Sequence, residues 1–398
     1  MFDTITTSSK PVDRWLRPRF ESDSIVNLMS SISAGLGVVN NAYPPLALLP
    51  PRQVAQARNV VLFVVDGLGY QYLRQRQANS KLARHLIGTL TSVFPSTTAT
   101  AITSFVTGVA PLQHGVTGWY TYLQDADRVC AVLPFRVRGA DAAIDARSAS
   151  NILWARPLFE RFAAKSVVVM PEHIANSPYT LLTTGAVKRV PFQNLQSCVQ
   201  NIFEAVQGGE YRTFVYAYWP QLDTLCHEHG VNSAQAERHF QEIDRAFAYL
   251  VEALLGTDTL LLVTADHGLV DSTPQHKVVF NDHPDLMAML RYPLSGEPRA
   301  AYCHVKPGMH AAFKRYVETQ LTESVALFES SVLLEKGYFG IGPPSAEFIA
   351  RIGDYVLIMR DNWVIKDYMP GEKPFTQIGV HGGLTEDELL VPLIKVRL

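Results

Sequence analysis

The apolar positions of this chain fall into short runs separated by amphipathic segments. The most continuous run covers residues 60–65 and leads directly into Asp66 and Gly67. A continuous Val-rich run is typical of a parallel strand that helices cover on both faces. Ligands of open α/β sheets collect at the carboxyl ends of such strands, so we expect Asp66 to lie at a site. A simple Asp-Gly turn is the alternative interpretation.

Strand and helix patterns alternate along most of the chain, which predicts an α/β fold with a mostly parallel central sheet and helices on both faces. Apolar runs predict strands at residues 89–94, 166–170, 213–218, 259–264 and 389–396. Helical spacing is found at residues 25–32, 71–86, 98–105, 158–164 and 195–206, and in the amphipathic stretch that Ser233 caps.

The rhythm changes between residues 270 and 371. That region combines a Pro-rich loop with a predicted helix at 310–321 and predicted strands near 325–328 and 355–359. We interpret residues 271–370 as a cap subdomain inserted into the sheet domain. Residues 1–270 and 371–398 then form the α/β core.

The composition is that of a folded globular protein. Of 398 residues, 47% are hydrophobic and 18% are charged, and the net charge of -2 gives no reason to expect a nucleic-acid duplex as a partner. The four cysteines have no CxxC spacing, so neither a zinc knuckle nor a disulfide framework is indicated. The N-terminus lacks a signal-peptide pattern, and no stretch approaches the roughly 20 apolar residues of a membrane span. We therefore expect a cytoplasmic protein without a membrane partner.

Acidic and imidazole side chains gather just beyond the predicted strands. Each has a simpler interpretation by itself, such as a helix start, a strand-exit turn or a surface histidine. Their joint occurrence in this order favours a common site. They are Asp66, Asp223, His227, Asp266, His267 and His381, with hydroxyl groups nearby at Thr97 and Thr98.

The spacing of these residues suits metal coordination. Asp223 and His227 are one helical turn apart, so both can face a single ion. Asp266 and His267 can converge only where the chain turns off the strand, which Gly268 permits. Three histidines and three aspartates make two sets of three ligands, the number expected of metal sites left open for catalysis. Ligands without thiolates favour zinc, with manganese or iron as alternatives.

In this arrangement the chain resembles the alkaline phosphatase superfamily, and within it the type I phosphodiesterase and nucleotide pyrophosphatase branch. The resemblance covers residues 59–118, 213–271 and 379–393. It implies an alkaline-phosphatase-like three-layer sandwich with an inserted cap, in which the core carries the metals and the hydrolytic chemistry.

The resemblance also implies residue roles. The nucleophile of the family falls on Thr98, ten residues before Gly108, with Thr97 as the alternative. Two divalent ions are implied, with zinc favoured and manganese as the alternative. The first would be held by Asp66, Thr98, Asp266 and His267, and the second by Asp223, His227 and His381.

Two departures from the family pattern matter. An asparagine that helps to hold the phosphate oxygen in animal nucleotide pyrophosphatases falls on Trp119, so the oxyanion donor is unassigned. The Cys-x-Pro-x-Arg pattern of sulfatases is missing near Thr98, which makes sulfate ester hydrolysis an unfavoured main activity.

We predict a metal-dependent hydrolase of phosphate esters that acts on a small phosphodiester or nucleotide. No arginine lies beside the metal motifs to meet the extra charge of a monoester. Trp119, Tyr120 and Tyr122 could hold the second organic group of a diester, with core packing as the alternative. Arg299 is a candidate substrate contact, with a surface position as the alternative.

Other functions stay open on the same scaffold. They are a phosphomonoesterase, a phosphonate hydrolase and a manganese-dependent phosphomutase. A catalytically inactive, metal-stabilised binding protein is the alternative of another class, although such a site would not need the hydroxyl of Thr98. The oligomeric state is not predicted.

Overall fold

The chain folds around two β-sheets. The computed structural model describes residues 15–140, 142–145, 148–149, 151–208 and 211–398, so the N-terminal stretch 1–14 used in the signal-peptide argument lies outside the described residues. Within these ranges each large sheet has seven strands. The strands are β1 (Asn59–Val65), β2 (Leu86–Thr91), β3 (Tyr120–Leu123), β4 (Arg128–Ala131), β5 (Arg136–Val137), β6 (Lys165–Pro171), β7 (Lys188–Phe192), β8 (Thr213–Trp219), β9 (Thr259–Thr264), β10 (Val270–Asp271), β11 (Lys277–Val279), β12 (Ser295–Glu297), β13 (Ala300–Cys303), β14 (Val325–Glu329), β15 (Tyr355–Met359), β16 (Val364–Lys366), β17 (Gly379–Val380) and β18 (Leu390–Arg397).

Helices occupy most of the connections. Side chains of Ser24, Asn194 and Ser233 accept hydrogen bonds from the first turns of the helices that follow them. In the described part of the chain, no helix has the length and apolar character needed to cross a bilayer. The helices are α1 (Ile25–Gly35), α2 (Pro51–Ala55), α3 (Tyr70–Gln75), α4 (Lys81–Arg84), α5 (Thr98–Thr107), α6 (Pro111–His114), α7 (Glu172–Ala175), α8 (Pro178–Thr184), α9 (Leu195–Gln207), α10 (Gln221–His229), α11 (Ala234–Ala253), α12 (Pro284–Ala288), α13 (His310–Gln320), α14 (Ser330–Glu335), α15 (Phe348–Ile352) and α16 (Glu386–Leu389).

The first sheet has the order β2-β18-β9-β1-β8-β6-β7. Adjacent strands in this sheet are parallel, with one exception: β18 is antiparallel to both of its neighbours, β2 and β9. Strand β1 lies between β8 and β9, with Val65 opposite Trp219 and Val64 opposite Thr264. The carboxyl ends of these three strands therefore meet at one edge of the sheet.

Helices cover both faces of the first sheet, as predicted. On one face α1 packs on α5, and α9 packs on α11 and β8 in a separate layer. The side chains of residues 60–65 are at most 1% exposed. Burial on both faces explains why this strand has no polar alternation, and each large apolar side chain buried there contributes about 1.5–3 kcal/mol.

The second sheet is antiparallel, with the order β14-β15-β13-β12-β3-β4-β5. The strands predicted near 325–328 and 355–359 are β14 and β15. Strand β12 joins the two halves of the sheet through the pairing of Gly296 with Tyr120. The sheet thus takes strands from both sides of residue 270, and the predicted boundaries of the cap at 271 and 370 stay a prediction.

Two predicted helices were wrong in extent. The segment 71–86 is split into α3 and α4, because Asp244 of α11 accepts hydrogen bonds from Ser80 Oγ and from the backbone N–H groups of Lys81 and Leu82. These bonds start a new helix at Lys81, and the strand predicted at 89–94 begins earlier, at Leu86. Only a 3-10 turn, Phe159–Arg161, forms within residues 158–164.

Candidate active site

The carboxyl ends of β1, β8 and β9 bring the predicted acidic residues together. Asp66 follows β1, and its Oδ2 accepts a hydrogen bond from the hydroxyl of Tyr218 in β8. Asp266 follows β9, and its Oδ1 accepts hydrogen bonds from the backbone N–H groups of Gly67 and His267 at 3.2 and 3.0 Å. Asp66 and Asp266 are 2% and 0% exposed. Both carboxylates are therefore held in a dry position at the edge of the sheet.

His267 completes a first group of three ligands. Its Nε2 lies 3.3 Å from Asp66 Oδ1 and 3.5 Å from Asp266 Oδ2. Gly268, which was predicted to permit the turn off the strand, does not have a positive φ. A Cβ at Gly268 would instead lie 2.0 Å from the carbonyl oxygen of Asp387 in α16. The glycine is thus needed for a close approach of two backbones.

Helix α10 and the segment after β17 form a second group. Asp223 and His227 lie one turn apart on α10, and His227 Nε2 is 3.1 Å from Asp223 Oδ2. His381 follows β17, with its Nε2 3.8 Å from Asp223 Oδ1. The Nδ1 of His227 lies 2.6 Å from the carbonyl oxygen of Gly379. This bond fixes the ring so that Nε2 faces the carboxylate.

The two groups adjoin through their histidines. The ring of His381 stacks on that of His267, with centroids 3.8 Å apart and an interplanar angle of 22°. The ring of His227 lies 5.1 Å from His381. Within each group, one ligand atom from each residue lies within 4.8 Å of the others. The structure therefore brings all six predicted acid and imidazole side chains together.

Several buried polar atoms of these groups have no hydrogen-bond partner among the described residues. A buried carboxylate oxygen without a partner is costly unless the group is neutral or binds a cation. Oxygen and nitrogen ligands in two sets of three fit divalent cations of the zinc type. The partnerless atoms are Asp66 Oδ1, Asp223 Oδ1, Asp266 Oδ2 and His381 Nδ1.

The electrostatics of the cluster agree with a site for cations. Burial raises the pKa of Asp66 well above its usual value, and the charges of Asp266 and Asp223 raise it further. Burial also raises the pKa of Asp266. In Asp223 the effect of burial is outweighed by His227 and the other imidazoles, which leave its pKa lowered. Carboxylates this close repel one another, and cations between them would relieve the repulsion.

Thr98 opens helix α5 beside the first group. Its Oγ1 lies 3.1 Å from His267 Nε2 and 3.5 Å from Asp66 Oδ2. The first backbone bond of the helix runs from the N–H of Ala101 to the carbonyl oxygen of Thr97. The N–H groups of the preceding turn have no acceptor within the helix, which makes this end suited to an anion.

The hydroxyl of Thr97 points elsewhere. It donates to Glu297 Oε1 at 2.7 Å. The same oxygen accepts a hydrogen bond from the backbone N–H of Trp119 at 2.6 Å. Of the two adjacent threonines, Thr98 is therefore the one whose hydroxyl lies against the first group.

The aromatic side chains after the threonine helix have different environments. The ring of Trp119 is 38% exposed. The half-buried ring of Tyr120 lies 4.3 Å from the guanidinium of Arg138 and 4.8 Å from the ammonium of Lys366. Tyr122 is buried, and its hydroxyl donates to Asp127. Trp119 and Tyr120 thus retain accessible ring surface, and their role in substrate binding stays a prediction.

Arg299 has a structural role, which argues against both the expected substrate contact and the surface alternative. The side chain is 0% exposed. Its guanidinium donates to both carboxylate oxygens of Glu388 at 3.0 and 2.8 Å. Its other N–H groups bond to the carbonyl oxygens of Trp363 and Asp361 at 2.6 and 2.7 Å, with a longer contact of 3.5 Å to that of Arg360. All five N–H groups of the guanidinium are therefore used within the protein, and none is left to bind a substrate.

Sequence reasoning missed two residues of the site. Tyr218 lies within the predicted strand 213–218, where its hydroxyl gave no signal distinct from core packing. Glu297 lies two hundred residues after Thr97, and the two meet only in the folded chain. No local pattern could have found Glu297.

Two grooves of the described surface lie away from these groups. One of about 910 Å³ is lined by α3, α4 and α11, and one of about 780 Å³ by α9, α10 and α11, and none of the six ligand residues lines either. Neither groove therefore contains the groups that the proposed chemistry needs. A smaller cavity of about 20 Å³ borders Glu297, Tyr120 and Lys366.

Solved structures share the fold at low sequence identity. Murine ectonucleotide pyrophosphatase / phosphodiesterase 5 is 16% identical with a TM-score of 0.63, over 84% of this chain and 87% of that chain. An inactive threonine-to-alanine variant of the murine protein, in complex with AMP, is 17% identical with the same TM-score and coverage. Phosphonoacetate hydrolase from Sinorhizobium meliloti 1021, in complex with phosphonoacetate, is 18% identical with a TM-score of 0.61, over 86% and 91% of the chains.

The amino-acid sequence identifies the family to which the chain belongs. No curated relative matches the chain. The profile of the type I phosphodiesterase / nucleotide pyrophosphatase family matches residues 60–384, which include all six ligand residues and Thr98. This match and the shared fold confirm the predicted relationship to the alkaline phosphatase superfamily. The chain therefore belongs to the type I phosphodiesterase / nucleotide pyrophosphatase family and is a phosphoric ester hydrolase.

Proposed function

We propose that this protein is a phosphodiesterase or nucleotide pyrophosphatase that uses two divalent ions and Thr98 as the nucleophile. The observation that carries the proposal is the position of Thr98 Oγ1, 3.1 Å from His267 Nε2 in the first group, with the second group adjoining. A hydroxyl placed against a cluster of buried ligands has a role in chemistry that a purely structural metal site does not need.

The ligand sets divide between two ions. The first ion would be held by Asp66, Asp266, His267 and Thr98, and the second by Asp223, His227 and His381. Zinc fits this donor set best, with manganese as the alternative. When bound, such ions lower the pKa of a coordinated hydroxyl and neutralise the charge that builds up on phosphorus ligands.

The residues of the chain supply the rest of the mechanism. The hydroxyl proton leaves Thr98 Oγ1, whose acceptor in the structure is Asp66 Oδ2. The oxygen then forms a bond to phosphorus as the bond to the departing alcohol or phosphate breaks. Backbone N–H groups at the start of α5 hold the phosphoryl oxygens. Water breaks the resulting Thr98–phosphorus bond in the second half of the reaction and restores the hydroxyl.

A diester or nucleotide is the proposed substrate class. The exposed ring surface of Trp119 and the ring of Tyr120 could hold an organic group beside the phosphate. The AMP complex of the murine relative supports a nucleotide as that group. A phosphonate hydrolase is the second candidate, because the phosphonoacetate hydrolase has a similar TM-score of 0.61. We keep the cytoplasm as the proposed location.

The proposal is tested with Thr98→Ala and the matched control Thr97→Ala. Rates would be compared on bis-(p-nitrophenyl) phosphate, p-nitrophenyl phosphate and a p-nitrophenyl phosphonate, with zinc and with manganese. We expect Thr98→Ala to abolish turnover on the preferred substrate, whereas Thr97→Ala should lower it only in part. Wild-type rates in Thr98→Ala would contradict the nucleophile, and a preference for the monoester or the phosphonate would contradict the substrate class.

A further inference from the structure

Glu297 joins the second sheet to the loop that carries the nucleophile. It ends strand β12 and is 7% exposed. Its Oε1 accepts the hydroxyl of Thr97 at 2.7 Å and the backbone N–H of Trp119 at 2.6 Å. One oxygen thus anchors both the residue before Thr98 and the first residue of the candidate aromatic wall.

The same side chain also touches the segment of the last histidine ligand. A Cβ at Gly382, which follows His381, would lie 2.8 Å from the Cβ of Glu297. The Ser96 hydroxyl, on the other side of the loop, donates to the carbonyl oxygen of Gly383 at 2.7 Å. Glu297 is therefore packed between the start of α5 and the segment after β17.

The hydrogen bonds of Glu297 have the pattern of a neutral acid. Both donors bind Oε1, and within the described ranges Oε2 has no hydrogen-bond donor and no lysine or arginine forms an ion pair with the carboxyl group. In an uncharged carboxyl group the carbonyl oxygen accepts two bonds while the other oxygen carries the proton.

We propose that Glu297 is a positioning residue that works as a neutral carboxylic acid, holding Thr97 and Trp119 through one oxygen and so aligning Thr98 for attack on phosphorus. This inference rests on the proposed function of Thr98. A neutral group suits the position, because a carboxylate beside a loop that binds an anionic phosphoryl group would repel the substrate.

The charged and titratable surroundings agree with a neutral group. Burial raises the pKa of Glu297 to about 7, against the lowering effects of its two hydrogen bonds, of Lys366 and of His227. Tyr120 and Tyr302 also face it, and both carry raised pKa values, so they are uncharged at neutral pH. We expect activity to fall as the pH rises through the pKa of Glu297, because ionisation adds a charge there.

The test compares Glu297→Gln with Glu297→Ala in the metal-loaded enzyme. The glutamine variant keeps an acceptor oxygen without a titratable proton, whereas the alanine variant has neither the oxygen nor the proton. We expect Glu297→Ala to lower kcat on bis-(p-nitrophenyl) phosphate roughly 10- to 100-fold, and Glu297→Gln to recover most of the loss. The fall of activity at rising pH should be present in the wild type and missing in Glu297→Gln. Thr97→Val, which removes one of the two bonds, should lie between Glu297→Gln and Glu297→Ala.

Several results would overturn the inference. Glu297→Gln as impaired as Glu297→Ala would show that a charge is needed, and a wild-type kcat in Glu297→Ala would show that no positioning is needed. A second readout is independent of turnover: the infrared C=O band of a protonated carboxyl group, present in the wild type at pH 6 and missing in Glu297→Gln at equal metal content. The absence of that difference would also overturn the inference. Thr98→Ala reports separately on the proposed function, so failure of one is distinguishable from failure of the other.

Discussion

Single atoms define the site at the scale of the residue. Four buried ligand atoms on Asp66, Asp223, Asp266 and His381 have no hydrogen-bond partner among the described residues. The buried acid Asp244, by contrast, accepts three hydrogen bonds at the start of α4. A cation bound at the candidate site would give the three buried carboxylate oxygens the partner that they lack.

Removal of one ligand should remove one metal ion. We expect Asp223→Ala to lower the metal content by about one ion per chain, because Asp223 contacts both histidines of the second group. The measurement is elemental analysis of the purified protein, together with the shift of the melting temperature on adding zinc. Glu228→Ala is the matched control, because Glu228 lies on the same helix with a side chain that is 60% exposed. Unchanged metal content in Asp223→Ala would contradict the ligand assignment.

The raised pKa of Glu297 predicts that the free energy of unfolding depends on pH. A folded-state pKa of about 7, against 4.5 for the free group, means that the folded protein keeps a proton that the unfolded chain loses. The free energy of unfolding therefore falls as the pH rises from about 4.5 to about 7, by up to about 3 kcal/mol. The Glu297→Gln variant has no titrating group at this position. Its melting temperature should therefore rise relative to that of the wild type as the pH increases from about 4.5 to about 7. A difference that does not change with pH would contradict the shift.

At the scale of the element, one carboxylate sets where a helix begins. Asp244→Ala should destabilise the protein by about 2–3 kcal/mol, because Ser80 Oγ and the N–H groups of Lys81 and Leu82 lose their acceptor. Urea unfolding measures this cost. Glu252→Ala, at an exposed position of the same helix α11, is the control and should cost less than about 0.5 kcal/mol. Equal midpoints for the two variants would contradict the capping role.

Elements with a strong local signal were predictable from the sequence. The apolar run 60–65 predicted β1 and the position of Asp66, and the helical spacing from residue 98 predicted α5. The four-residue spacing of Asp223 and His227 holds because α10 is a regular helix. For these residues the pattern and the tertiary structure depend on the same local geometry.

Contacts between distant segments were not predictable. The break between α3 and α4 depends on Asp244, which lies far along the chain on α11. Glu297 lies 200 residues from Thr97, to which it is hydrogen-bonded. Arg299 looked like a free cation in a turn, and its partner Glu388 lies 89 residues away. A single sequence contains no local signal for such pairs, since each residue type also occurs at exposed positions.

At the scale of the whole molecule, a buried ion pair ties the second sheet to helix α16, beside the segment that follows His381. Arg299 follows β12, and Glu388 precedes β18 and also accepts a hydrogen bond from the N–H of Gly383. Both side chains are 0% exposed. The segment that follows His381 is thus fixed by a residue of the predicted cap, so the two parts depend on each other.

Breaking the pair should destabilise the protein strongly. We expect Arg299→Met to cost about 3–5 kcal/mol in the free energy of unfolding, because it leaves Glu388 buried without its cation. The double variant with Glu388→Gln should cost less than the sum of the single variants. A double-mutant cycle in urea measures the coupling. Strictly additive costs would mean that the pair does not act as a unit.

The place of β18 in the first sheet has a consequence for synthesis on the ribosome. Strand β18 is inserted between β2 and β9, so these two strands never touch each other in the finished sheet. In a nascent chain that has emerged only as far as β17, β2 and β9 each have an edge whose backbone N–H and C=O groups lack the partners that β18 supplies. One of these strands, β9, leads to Asp266. Such edges recruit other chains. Chaperone protection during translation should therefore matter most between the emergence of β9 and that of β18.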